Sequence, residues 1–285
     1  MPVSIAALLR SVAQQLADAG VPDPVVDAEL LIGHVIGLGR GSVQAAVIRG
    51  DGLDDADAEA VALLVARRAA REPLQHITGT APFRHLELQV GPGVFVPRPE
   101  TEQVVQFAID ALLNAPDAAP IGIDLGTGSG AIALAMASEV PHARIFAAEV
   151  SPEAHAWAAR NTAIAANLTL VHADLADAFP ELNGQASVVI SNPPYVPDDA
   201  IPRDPEVRLF DPALALYGGP DGLDVVRVLS TRALELLRPG GLLVIEHGEL
   251  QGADIRALLS ADGWRAAATH PDLTHRDRAT TAVRP

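Results

Sequence analysis

Ser191-Asn192-Pro193-Pro194-Tyr195 follows the apolar run Ala186-Ser187-Val188-Val189-Ile190 and ends it with two prolines. A strand must stop there, because proline has no N–H to give to a ladder. The carbonyls around Asn192 and Pro193 are left free to accept hydrogen bonds from something else, and the Asn192 side chain adds another acceptor. Two acceptors at an open strand end, beside the ring of Tyr195, suit a planar group carrying an NH2, which offers two donors in one plane. A carboxamide and an adenine amine both meet that description. A plain strand-ending turn is the structural alternative.

A second stretch, Asp124-Leu125-Gly126-Thr127-Gly128-Ser129-Gly130, joins a strand pattern to a helical one, with glycines where the backbone must turn and let a ligand approach. Such a loop binds a nucleotide. Gly126, Gly128 and Ala131 also satisfy a relaxed dinucleotide fingerprint, but the third glycine comes one position early. Asp124, directly before the first glycine, suits a ligand's ammonium or sulfonium better than a pyrophosphate. Glu149 ends the next strand and would accept both ribose hydroxyls in either case. Asp174, after the third strand, serves equally as an acceptor for an adenine amine or as a helix N-cap.

The composition removes whole classes of chemistry. No cysteine is present, so disulfides, cysteine-type zinc sites, thiol nucleophiles and iron–sulfur clusters are excluded. All 20 basic residues are arginine, which excludes a P-loop lysine, a Schiff base and a lysine general base. A formal charge of −16 repels phosphate backbones and favours a basic protein partner over bare nucleic acid. At 285 residues and 49% hydrophobic content, a substantial core can form. No apolar run reaches the roughly 18 residues of a membrane span, and the N-terminus lacks a signal-peptide pattern, so a cytoplasmic, membrane-free protein is expected.

These groups need a frame. Residues 1–73 show helical periodicity (Ile5, Leu8, Leu9, Val12, Leu16; then Val25, Val26, Leu30, Leu31, Ile36) and read as a small helical bundle. Its last helix, Asp54 to Arg71, has acids in its first turn and Arg67, Arg68 and Arg71 in its last, read as capping and solvation rather than a partner-binding patch. Residues 74–100 suggest a β-hairpin linker turning at Gly91-Pro92-Gly93, with His76 and His85 structural. From 101 to 285 strands and helices alternate, which predicts an open, mostly parallel sheet covered on both faces, with ligands at the carboxyl ends of its strands. The proline-rich stretch Val196 to Asp221 lacks periodicity and reads as a lid after Tyr195.

A glycine loop, acids after strands two and three, and Asn-Pro-Pro-Tyr after strand four together resemble the Rossmann-like S-adenosylmethionine-dependent methyltransferases. The stretch Phe95-Val96-Pro97-Arg98-Pro99-Glu100-Thr101-Glu102 and the run from Leu209 to Asp224 make the chain similar, over nearly its whole length, to the PrmC/HemK family. These are protein-(glutamine-N5) methyltransferases that modify peptide chain release factors and carry a small N-terminal helical domain. The resemblance implies S-adenosyl-L-methionine as cofactor, release factors as protein substrate and no direct nucleic-acid partner. It also implies that Asp124, Gly126, Thr127, Gly128, Ser129, Gly130, Glu149, Asp174, Leu175 and Asn192 contact the cofactor. Asn192, Pro193, Pro194, Tyr195 and Phe95 would hold the glutamine, with Asn192, Pro193 and Tyr195 catalytic. Glu149 stands where the family commonly has Asp, Leu175 where it often has Trp, and His247 where many members have Ile; His247 is read as structural. An adenine methyltransferase acting on DNA or RNA is the alternative, since it uses the same strand-four motif.

Overall fold

A computed structural model describes residues 3–285 of the chain, which divides into two compact units. One holds the described residues up to Thr80 together with Pro202–Phe210, and the other holds Ala81–Ile201 and Asp211–Pro285. In the first, β1 (Val3–Ser4) leads into α1 (Ile5–Asp18), α2 (Pro24–Ile36) and α3 (Arg40–Arg49); β2 (Gly52–Leu53) pairs back antiparallel with β1 before α4 (Asp55–Ala69) and α5 (Leu74–Thr78). The helix ends follow local chemistry. Asp54 accepts from the Asp57 N–H at 2.8 Å to start α4, and Gly37 and Gly50 stop α2 and α3 in the left-handed conformation. Val12, Leu16, Leu31, Ile32, Val43 and Val61 meet in its core, the helical bundle that the periodicity predicts.

The second unit begins with a two-stranded sheet of β3 (Thr80–Phe83) and β4 (Leu86–Gln89), followed by α6 (Pro99–Leu113). The expected hairpin is thus earlier and tighter. Its turn is at Arg84-His85, where Arg84 takes a φ of +54°, Gln75 to Thr78 is helical, and Val94–Val96 is not strand. Arg84 is held there by Glu139 and by the Glu102 carbonyl at 2.8 Å; Gly91-Pro92-Gly93 also turns, with the Val94 N–H donating to the Gly91 carbonyl at 3.4 Å, but no strand follows it.

Strand–helix alternation then runs through β5 (Ile121–Leu125), α7 (Ala131–Glu139), β6 (Arg144–Glu149), α8 (Pro152–Thr162), β7 (Leu168–His172) and β8 (Ala186–Ser191). After two short helices, α9 (Pro205–Phe210) and α10 (Ala213–Leu216), come α11 (Asp224–Leu236), β9 (Leu237–Glu246), α12 (Gly252–Ala261), β10 (Arg265–Pro271) and β11 (Asp277–Val283). They form one seven-stranded sheet in the order β10-β11-β9-β8-β5-β6-β7, in which β9, β8, β5, β6 and β7 are parallel and β11 and β10 antiparallel. Every residue of β5 and β8 is buried, as expected for central strands covered on both faces. One apolar cluster lies under α6 and α7, and the other under α11 and α12. The chain leaves β5 toward β6 on one side and later returns to place β8 on the other. The carboxyl ends of β5 and β8 therefore flank the switch point. Among the described residues, no single helix is long and apolar enough to cross a membrane.

The 196–221 stretch is not without regular structure, as its lack of periodicity suggested. It carries α9 and α10, and Glu206 of α9 is buried against Arg68 and Arg71 of the helical unit. This corrects the reading of that arginine cluster as solvated capping. Only Arg67 stays at the surface, paired with Glu72. Removing one partner of such a buried ion pair typically costs about 3–5 kcal/mol, because the other charge is left buried and unpaired.

Candidate active site

At the end of β5 the Asp124 carboxylate is wholly buried. Its Oδ2 accepts from the Thr127 hydroxyl and from the Ala133 N–H at 3.2 Å, so it ties the glycine loop to the first turn of α7. Its Oδ1 has no partner. Burial, with the charge of Glu149 adding, pushes the Asp124 pKa up to about 7. Glu149, at the end of β6, accepts from the Gly128 N–H and the Ser151 N–H, both at 2.8 Å. Each carboxylate oxygen keeps a lone pair for a further donor. Gly126 and Gly128 have φ values of +76° and +59°, and a Cβ at either would meet nothing within 4 Å, so the loop borders open space. Asn161 holds its far side by donating to the Ser129 carbonyl at 2.9 Å.

A ligand with a nucleoside and an ammonium group fits this cradle. An orphaned buried carboxylate oxygen seeks a cationic donor, a second carboxylate can accept hydroxyls, and glycines leave the approach clear.

The acceptor motif begins one strand away. Ser191 donates from Oγ to the Leu125 carbonyl at 2.6 Å and so fastens the end of β8 to that of β5. Parallel pairing of Ser191 with Ile245 puts the next residues, Asn192 and Glu246, at neighbouring strand ends. Glu246 is 2% exposed and wholly enclosed, with the side chains of Thr101 and Asn192 as its polar neighbours. Its Oε2 and the Thr101 Oγ1 are buried without a hydrogen-bond partner. Burial pushes the Glu246 pKa up to about 7, and the charge of Glu100 adds to the rise. Tyr195 stands in the same cluster, where burial and then the charge of Glu246 push its phenol up to about 12 and keep it neutral.

The returning chain packs closely on this motif. A Cβ on Gly218 would lie 2.4 Å from the Pro194 carbonyl oxygen, which is why no larger residue stands there. Gln251 completes the support by donating to the Tyr195 carbonyl at 2.9 Å while accepting from the Gly248 N–H. Phe95 lies under the Arg98 guanidinium, 4.8 Å from its ring centre, and Arg98 donates to Asp211 at 2.7 Å.

The structure thus joins Asp124, Thr127, Gly128 and Glu149 by hydrogen bonds and sets Asn192 and Tyr195 beside Glu246. Asp174 is exposed after β7, where its Oδ1 accepts from the Ala176 N–H at 2.9 Å and closes a local turn; no helix begins there, so it is not the helix N-cap that the sequence also allows. Leu175 is half-buried against the apolar cluster under α11 and α12. His247 is structural: its Nδ1 donates to the Gly248 carbonyl at 2.8 Å, its Nε2 accepts from the Thr280 hydroxyl at 2.9 Å, and burial lowers its pKa. Glu246 and Thr101 were not among the predicted site residues. The one signal for Glu246 is an acid at the end of an apolar strand, the pattern that had already marked Glu149.

The open, mostly parallel sheet, its switch point and the glycine loop define a Rossmann-like methyltransferase fold. Residues 7–79 match the family described as PrmC N-terminal domain, and residues 86–216 match the methyltransferase small domain. A release factor glutamine methyltransferase from Streptomyces coelicolor is 50% identical over 281 residues, covering 96% of this chain and 97% of that protein. One from Bifidobacterium longum is 44% identical over 291 residues, covering 97% and 98%. The chain belongs to the release factor glutamine methyltransferase family. A 4-amino-L-phenylalanine/4-methylamino-L-phenylalanine methyltransferase from Streptomyces pristinaespiralis is 43% identical over 224 residues, covering 77% of this chain and 76% of that protein. In fold, the hMettl16 catalytic domain, solved in complex with the MAT2A 3'UTR hairpin 6, superposes with a TM-score of 0.56 at 15% identity, covering 77% and 81%.

Proposed function

We propose that the protein transfers the methyl group of S-adenosyl-L-methionine to the side-chain amide nitrogen (N5) of the glutamine in the Gly-Gly-Gln motif of peptide chain release factors. The observation that carries this reading is the Asn192 amide, set at the open end of β8 against the buried Glu246 and one strand from the glycine loop. When bound, the cofactor supplies an electrophilic methyl on a sulfonium, a leaving group that needs no acid. Gly126 to Gly130 cradle it, Glu149 accepts its ribose hydroxyls and Asp124 faces its ammonium group. Asp174 and Leu175 are assigned to its adenine.

A carboxamide nitrogen is a poor nucleophile because its lone pair is delocalised, so positioning must do most of the work. The Asn192 Oδ1 and the Pro193 carbonyl accept the two N–H groups, hold the nitrogen in line and stabilise positive charge as it develops. Glu246 takes the Asn192 NH2, which leaves the Asn192 oxygen turned to the acceptor. Tyr195, Pro194 and Phe95 wall the site and exclude water. The helical unit, matched over residues 7–79, is assigned to docking the protein substrate.

Two other acceptors present the same donor geometry, an adenine amine in nucleic acid and the aryl amine of a free amino acid. The −16 charge opposes the first. The second is named by a relative whose alignment covers 77% of this chain, against 96% for the release factor enzyme from Streptomyces coelicolor. Incubation with labelled S-adenosylmethionine, a purified release factor, duplex DNA and 4-amino-L-phenylalanine should place the label on the factor. Label on the DNA or the free amino acid in preference to the factor would overturn the assignment.

A further inference from the structure

The strap that follows the acceptor motif is held at both of its ends by the sheet unit. Val196 bridges Tyr217, its N–H donates to the Leu216 carbonyl at 2.8 Å, and the Gly218 N–H donates back to the Val196 carbonyl at 2.9 Å. Asp211 on the return path is bound by Arg98 at 2.7 Å. Between these anchors, Pro202–Phe210 belongs to the helical unit, with Glu206 its most buried charged side chain. Glu206, 8% exposed, accepts at Oε1 from Arg68 Nη1 and Arg71 Nε, both 2.8 Å, and at Oε2 from Arg71 Nη2 at 2.6 Å. The two arginines are themselves fixed. Arg68 Nε donates to Asp27 Oδ2 at 2.7 Å and its Nη1 to the Glu72 carbonyl at 3.1 Å; Arg71 Nη1 donates to the Gly20 carbonyl at 2.9 Å from a backbone with φ of +68°. Asp204 adds a further charge 3.8 Å from Arg71.

Such a clamp is more than the helical bundle needs. Arg68 already has a buried partner in Asp27, whereas among the described residues the ion pairs of α9 to Arg68 and Arg71 are those of Glu206, with Asp204 just before the helix adding its own to Arg71. The tether from Tyr195 to Pro202 is the six residues Val196 to Ile201, which reach at most about 22 Å and include Pro197. A tip tied to the helical bundle therefore shortens the free length of the chain that leaves the acceptor motif.

We propose that Glu206 is a positioning residue for the methyl acceptor: clamped by Arg68 and Arg71, it fixes the 196–221 strap so that the wall beside Asn192–Tyr195 is ordered before the acceptor arrives. The proposal rests on the reading that Asn192–Tyr195 grips the acceptor amide. It makes the helical unit a determinant of acceptor turnover through chain connectivity alone.

Full-length Glu206→Gln and Arg71→Gln test it, with Asp27→Asn as a variant that disturbs the same arginine without touching the strap. Calorimetry would give the affinity for S-adenosylmethionine, steady-state kinetics on a purified release factor the kcat and KM, and hydrogen exchange the order of the strap. The expected result is unchanged cofactor affinity, a loss of kcat/KM on the factor of about 5–150-fold, and faster exchange confined to 196–201 and 211–221 in addition to α9. Asp27→Asn should raise exchange in α2 and α4 and spare both the strap and kcat/KM. If Glu206→Gln does not fold, Arg71→Gln, which removes two of the three bonds to Glu206, carries the test. Unchanged strap exchange or unchanged kcat/KM in both variants would overturn the proposal, as would an equal loss in Asp27→Asn. Should the wild type bind cofactor and leave the factor unmethylated, the proposed function fails, and the exchange pattern alone still decides whether the clamp orders the strap.

Discussion

Glu246 is buried beside Asn192 and Thr101, and that decides when its carboxyl group ionises. Its pKa rises from 4.5 to about 7 on folding. Below the unfolded value the group is protonated in both states; as pH rises through this window the unfolded chain ionises first, so stability present at acid pH is lost up to about pH 7 and is flat beyond. Glu246→Gln imitates the protonated form. Denaturant unfolding between about pH 5 and pH 8 should show this variant gaining on the wild type as pH rises, by an amount on the order of 1–3 kcal/mol. A difference independent of pH would contradict the assigned burial. Glu206 runs the opposite way: held down to about 2, chiefly by its arginine bonds acting against burial, it contributes fully above its unfolded value and loses that contribution only as pH falls toward 2.

Among the elements, the glycine loop and the strap should fail in separable ways. Gly128→Val places a branched side chain in open space at a φ of +59°, a conformation that valine tolerates poorly, so calorimetry should find cofactor affinity lost. Gly218→Ala drives a methyl to 2.4 Å from the Pro194 carbonyl oxygen, so acceptor turnover should collapse with cofactor affinity kept. The reverse pattern would mean that the two sites are misassigned. Both loops were legible because their signals are local: glycines between a strand and a helix, prolines after an apolar run, alternation of elements along the chain. What escaped has partners far off in sequence. Arg68 and Arg71 read as helix capping because Glu206 stands 135 or more residues away, and the early hairpin turn depends on tertiary bonds to Arg84. Glu246 gains its meaning only when pairing of β8 with β9 sets it beside Asn192.

For the molecule as a whole, composition narrows the partner and the site narrows the atom. A chain of charge −16 with no lysine is ill suited to bare nucleic acid, and the strand-four grip by itself accepts any planar NH2. The central claim is that Asn192 and Pro193 aim a glutamine amide at the methyl donor. Tandem mass spectrometry of a purified release factor, after reaction with wild-type enzyme and with Asn192→Ala, tests it most directly. One methyl is expected on the side-chain nitrogen of the Gly-Gly-Gln glutamine with the wild type, and a rate lower by about 10²–10³-fold with the variant, with cofactor affinity falling much less. A methyl on any other residue, or a variant that modifies the same glutamine at the wild-type rate, would contradict it.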